Sequence, residues 1–170
     1  IEYAALTSLL MSIGNFIILP ARALSNHFLP DLCKIKNPGP SFSQTLRAFE
    51  KNLWTITTIT TVIVYCFALI AFSYLPSSYS QLDYFNFALP STLLCIYFSQ
   101  LSLPLSNALL ALNMSSLTMT VNLVAAAVFA IIVCGFILFS SLHAAPSILI
   151  GLSISNIARF MILKIKAADL

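Results

Sequence analysis

The chain has 170 residues, 59% of them hydrophobic and only 8% charged, with eight Lys and Arg against five Asp and Glu. A soluble domain carries about 25% charged residues, so this composition excludes a soluble globular enzyme and a disordered chain. A net charge of +3, without aromatic residues interleaved among basic ones, excludes a nucleic-acid footprint.

What remains is an all-α integral membrane protein. No Asp, Glu, Lys or Arg occurs from Asn52 to Leu82 or from Tyr84 to Ala158. A helix needs about 20 apolar residues to cross about 30 Å of hydrocarbon, so the first stretch holds one span and the second holds three. Barrel strands would alternate over about ten residues, and these runs are continuous. The sequence predicts one domain over 1–170, a bundle of five transmembrane helices at about 3–24, 53–75, 84–112, 117–139 and 145–165, with a cytoplasmic loop at 25–52.

The first element, 3–24, begins almost at the start of the chain. Ile1-Glu2-Tyr3 has no initiator Met, no charged leader and no cleavage pattern, so it reads as part of a longer protein and not as a signal peptide. In the loop, Asn37-Pro38-Gly39-Pro40 is a turn cluster, and Ser41 or Ser43 is placed to cap a helix. Phe42, Leu46, Phe49 and Leu53 then form one apolar stripe, as of a second helix that projects below the bilayer or starts at its interface. Pro76-Ser77-Ser78 stops that helix. In the third, Pro90 suits a first turn and Pro104 predicts a kink. Pro146 sits in the first turn of the fifth.

Basic residues orient the bundle. Arg22, Lys34, Lys36, Arg47 and Lys51 fall in or beside the first loop, and Arg159, Lys164 and Lys166 at the end of the fifth span. With five alternating spans these two regions share one side. By the positive-inside rule that side is cytoplasmic, which predicts a multi-pass protein of the cell (inner) membrane with a cytoplasmic C-terminus.

Polar residues inside the spans carry the functional signal. Ser8, Ser12, Asn15, Arg22 and Asn26 lie within about an 80° arc of the first helix at 100° per residue. Thr57, Thr58, Thr61 and Tyr65 share a face of the second, and Thr92, Ser99, Ser102 and Ser106 one of the third. Thr118 and Asn122 are a turn apart on the fourth, as are Ser155 and Arg159 on the fifth. Either these faces converge on a water-accessible cavity, or the hydroxyls bond their own helices and let neighbours pack closely. Asn15 and Arg159 stand apart, because amide and ionisable groups at depth are expensive and usually face the bundle interior.

Catalysis finds no constellation. His27 and His143 fall on opposite sides, and Cys33, Cys66, Cys95 and Cys134 have no paired spacing. The carboxylates Glu2, Asp31, Glu50, Asp83 and Asp169 sit near ends and loops, and no Gly-rich phosphate loop is present. The sequence predicts no catalytic residue, no metal and no cofactor.

Several segments carry a resemblance: Glu2-Tyr3-Ala4 opening a helix, Leu19-Pro20-Ala21-Arg22, Phe28-Leu29-Pro30-Asp31-Leu32, and Ala108-Leu109-Leu110-Ala111-Leu112-Asn113 at the inner end of the third span. With the short basic loop between the first two helices, this pattern resembles the polysaccharide flippases of the multidrug/oligosaccharidyl-lipid/polysaccharide exporter superfamily. Those include transporters of O-antigen and related lipid-linked oligosaccharides. The resemblance implies one lobe of a two-lobed helical transporter, the five spans matching the second to sixth helices of that lobe. It implies alternating access, the bilayer and a lipid-linked saccharide as partners, and a longer transporter chain around this segment. Arg22 and Arg159 would then contact the substrate headgroup, with Asn15, Thr61 and Tyr65 as polar lining. The alternatives are a multidrug or small-molecule exporter of the same superfamily and a non-transporting membrane subunit. The lack of a membrane-embedded Asp or Glu weighs against a proton- or sodium-coupled lobe.

Overall fold

The computed structural model describes residues 2–35, 39–74, 83–139 and 144–168. Lys36, Asn37-Pro38, the Pro76-Ser77-Ser78 stop and His143 lie outside the described residues. Among the described residues the chain is helical almost throughout: α1 (Glu2–Lys34), α2 (Pro40–Ser73), α3 (Asp83–Leu101), α4 (Leu103–Ala111), α5 (Ser115–Phe139) and α6 (Ala144–Ala168). With α3 and α4 counted as one interrupted helix, five helices are long and apolar enough to cross a membrane.

The expected loop at 25–52 is mostly helix. α1 runs through Pro30 to Lys34 and α2 already begins at Pro40. At 1.5 Å per residue each is about 50 Å long, well beyond the thickness of hydrocarbon. The extensions hold because they bury each other's apolar residues: Leu32 of α1 packs with Phe42, Leu46, Phe49 and Leu53 of α2. The rings of Phe28 and Phe49 stack at 5.0 Å. The Asn26 carbonyl, which Pro30 deprives of its donor, belongs to an exposed residue that water can reach.

Two helix boundaries also differ from expectation. α2 is capped by Gly39 in extended backbone, without a side-chain cap from Ser41 or Ser43. Pro40 takes the first helical position, where a missing N–H costs nothing. Pro90 lies inside α3, not at its start. Pro104 does interrupt the third span: the helix breaks at Ser102 and resumes at Leu103, because proline offers no N–H to the carbonyl four residues back. α4 then ends in a Schellman turn. Asn113 adopts φ 57°, and the Met114 and Asn113 amides donate to the Leu109 and Leu110 carbonyls at 2.8 and 3.0 Å.

The interrupted α3–α4 helix is the centre of the bundle. In its most apolar stretch 67% of residues are buried, against 11–33% in the other four. Leu10 and Ile17 of α1, Val64, Ala68 and Phe72 of α2, and Leu149 of α6 pack around Phe85, Leu89 and Leu93 of α3. Toward the other end Leu101, Leu105 and Leu109 pack with Val121 of α5 and with Phe160 and Leu163 of α6. α1 and α2 are therefore antiparallel, and α1, α3 and α6 run in one direction. Arg47, Lys51 and Lys164 meet at one pocket, so the described cations of the α1–α2 turn and of the α6 terminus gather at one end.

Close approach of α5 and α6 depends on small residues. A Cβ on Gly151 would lie 2.7 Å from a Val133 methyl. One turn on, the Ser155 hydroxyl donates to the Ala125 carbonyl at 2.7 Å. Much of the surface outside this core is apolar. Phe16, Phe67, Ile131 and Leu138 are 65%, 65%, 71% and 74% exposed, which only a non-aqueous neighbour makes favourable.

Candidate functional site

The bundle sorts the polar residues into an outer face, an inner line and a lateral groove. The outer face is on α1: Ser8, Ser12, Asn15, Arg22 and Asn26 are all exposed. Leu19, 62% exposed, is the apolar member between Asn15 and Arg22. Beside the lower part of this face, a cavity of about 690 Å³ opens between α1 and α2 at the cationic end, lined by Ala23, His27, Lys51, Asn52 and Thr55 among others.

The inner line follows α3 and α4. Gln100, Ser102, Ser106 and Asn107 are buried. The Asn107 amide donates to the Ser25 hydroxyl of α1 at 2.6 Å. From α6 the Arg159 guanidinium reaches the Ser106 hydroxyl at 3.4 Å. Arg159 Nε and Gln100 Oε1 are buried without a hydrogen-bond partner among the described residues, as are the hydroxyls of Thr57, Thr61, Thr92 and Thr118. Buried polar groups are ordinarily paired, so Gln100, Thr92 and Arg159 along this line, like Thr57 and Thr61 on α2 and Thr118 on α5, hold unspent hydrogen-bonding capacity.

The lateral groove lies between α2 and α3. Thr61 and Tyr65 of α2 face Pro90, Leu93, Leu94 and Tyr97 of α3 across about 300 Å³ of almost wholly apolar space. Thr58 and Tyr97 share a hydrogen bond at 3.1 Å, and the Trp54 and Tyr97 rings meet edge to face at 6.0 Å.

The five expected contact residues thus fall in three places. Thr61 and Tyr65 come together in the lateral groove. Asn15 and Arg22 share the exposed face of α1, and Arg159 lies apart from both at the inner line. Many other hydroxyls are used within the fold. Ser12, Thr45, Thr55, Thr60 and Thr120 bond carbonyls of their own helices at 2.8–2.9 Å, and Ser153 also bonds the Ser91 carbonyl across α3 and α6 at 2.9 Å. Gln100 and Asn107 were not among the expected residues. Their signal was two amides seven residues apart in an apolar run free of charged residues.

Among the described residues no three His, Cys, Asp or Glu side chains are placed to hold a metal. Cys33, Cys66 and Cys134 are exposed free thiols, and Cys95 is buried. No family model, curated protein or solved structure matches the chain.

Proposed function

We propose that the chain is a multi-pass membrane segment forming part of a transporter lobe, and that the transporter moves a lipid-linked saccharide across the cell membrane by alternating access. The observation that carries this reading is the polar face of α1. Polar and ionisable groups at membrane depth face a bundle interior or a water-filled cavity, not lipid. Asn15, Arg22 and their neighbours are exposed on this bundle, so a second protein surface or a water-filled passage must face them. With the cavity beside Ala23 and His27, that face supplies hydroxyl and amide groups for sugar and a guanidinium for diphosphate.

In this reading the cationic end is cytoplasmic. Arg159 stands behind the lining on the Pro104 break, where a helix interruption supplies a place for two lobe conformations to differ. An exporter of lipophilic small molecules would use the same α1 face without needing Arg22. Hydroxyls satisfied within their own helices favour a non-transporting subunit instead.

The deciding experiment measures transport of a fluorescent lipid-linked oligosaccharide by the intact protein in vesicles, with Arg22→Ala and Arg159→Ala at matched abundance. Loss of transport in either variant is expected. Normal transport in both rejects the assignment, and export of a lipophilic dye in its place supports the small-molecule exporter.

A further inference from the structure

A second polar pocket, between α2, α4 and α6, shares Lys51 with the cavity beside α1 and has no α1 residue in its lining. Arg47, Glu50, Lys51 and Trp54, at i, i+3, i+4 and i+7 on α2, face Phe160 and Lys164 of α6 across about 220 Å³. Three cations meet one carboxylate there. Glu50 lies in the field of Arg47 and Lys164, and Lys164 Nζ sits 5.8 Å from the centre of the Phe160 ring. The ion pair found among the described residues is elsewhere, between Lys34 and Asp31. The pocket therefore keeps a net positive charge that no contact neutralises.

The pocket does not end at Trp54. The Trp54–Tyr97 ring contact and the Thr58–Tyr97 hydrogen bond join it to the apolar trough lined by Thr61, Tyr65, Pro90 and Leu94. From Lys51 to Thr61 is about ten residues, or ~15 Å along the helix. That is half of the about 30 Å hydrocarbon core. A charged pocket thus sits one leaflet's depth from an apolar lane, with an aromatic residue of interfacial type at the junction.

We infer that this is a binding site for one anionic phospholipid. Its phosphate lies among Arg47, Lys51 and Lys164, and one acyl chain lies in the trough between α2 and α3. Arg47 offers the planar fork that matches phosphate oxygens, and the two ammonium groups add point charges. Inorganic phosphate would need no apolar lane. The pocket is also about a third the size of the ≈ 690 Å³ cavity beside α1, which suits a compact headgroup more than a saccharide. The inference rests on the membrane reading but not on transport.

Trp54, the one tryptophan of this chain, is the probe. The intact protein, with Trp54 as its single tryptophan, is reconstituted in phosphatidylcholine vesicles containing either brominated phosphatidylglycerol or brominated phosphatidylcholine as the minor lipid. Each basic residue near an anionic lipid surface gives about a fivefold gain, so two net charges give roughly a twenty-five-fold preference for the anionic lipid. Trp54 quenching should therefore saturate at far lower brominated phosphatidylglycerol, and Lys164→Gln and Arg47→Gln, with helix content unchanged, should each shift it about fivefold toward the zwitterionic curve. Coincident wild-type curves overturn the site while leaving the membrane reading intact. Absence of quenching by either lipid overturns both. Relief of quenching by millimolar inorganic phosphate would show a phosphate site without lipid specificity, and so would also overturn the proposal.

Discussion

Gly151 offers a direct test of how α5 and α6 are held together. A Cβ there would lie 2.7 Å from Val133 Cγ2 and 3.1 Å from Phe129 Cδ2, where ordinary contact begins at 3.4 Å. In Gly151→Ala the Val133 methyl must therefore retreat by about 0.7 Å, and overpacking of this kind costs about 1–3 kcal/mol. Removing a helical glycine returns about 1 kcal/mol, which leaves a net loss of about 0–2 kcal/mol. Gly151→Leu forces more atoms into the same gap and separates Ser155 from the Ala125 carbonyl, so its loss should exceed that of alanine. Gly135 is the internal control: a Cβ there meets nothing within 4 Å, so Gly135→Ala should match or exceed wild type. Thermal unfolding of the intact protein in detergent reads the order, with Gly135→Ala at or above wild type and Gly151→Leu lowest. A Gly151→Leu protein as stable as wild type would refute the close α5–α6 packing.

Three further outcomes follow from the same structure. In a background without native cysteines, Asn15→Cys and Ser12→Cys should react with a membrane-impermeant thiol reagent while Phe67→Cys and Ile131→Cys stay protected; equal protection at all four would remove the water-facing role of α1. Asn107→Ala and Ser25→Ala should each destabilise by about 1 kcal/mol, and the double variant should cost less than their sum, since they share one hydrogen bond; full additivity in a thermal-denaturation cycle would rule that bond out. Asn113 holds a left-handed conformation, so Asn113→Gly should be neutral and Asn113→Val should cost about 1–2 kcal/mol; a valine variant that unfolds with wild type would contradict the Schellman turn.

Much of the helical layout was legible because it depends on local composition. Uninterrupted apolar runs fall where helices form, Pro146 falls in a first turn, and Pro104 lies beside the break at Ser102. Where sequence reasoning fell short, contacts between distant residues decided. Residues 25–34 read as loop because Asn26, His27 and Pro30 interrupt the apolar pattern, yet Leu32 is buried through Phe42 and Phe49. Pro90 suits a first turn because its missing N–H costs nothing there, yet the helix begins at Asp83 and carries the proline within it.

The candidate site divides in the same way. The polar stripe on α1 followed from helical periodicity, and its residues do share one face. Periodicity has no information on whether that face turns inward or outward, and the bundle leaves it exposed. Asn107 and Gln100 stand seven residues apart in an apolar run, but that spacing alone does not say whether the amides are buried. Their burial comes from the central position of α3 and α4.

The sequence by itself determined the solvent-like class of the chain, its apolar helices and the gathering of its cations toward one end, because charge scarcity and hydrophobic run length are local quantities. Only the tertiary structure decided which polar groups are paired, which are buried without a partner, and which face away from the bundle. Those are properties of neighbours brought together from distant positions. Arg22 and Arg159 are the same residue type in similar sequence surroundings, and packing alone leaves one exposed on α1 and sets the other against Ser106.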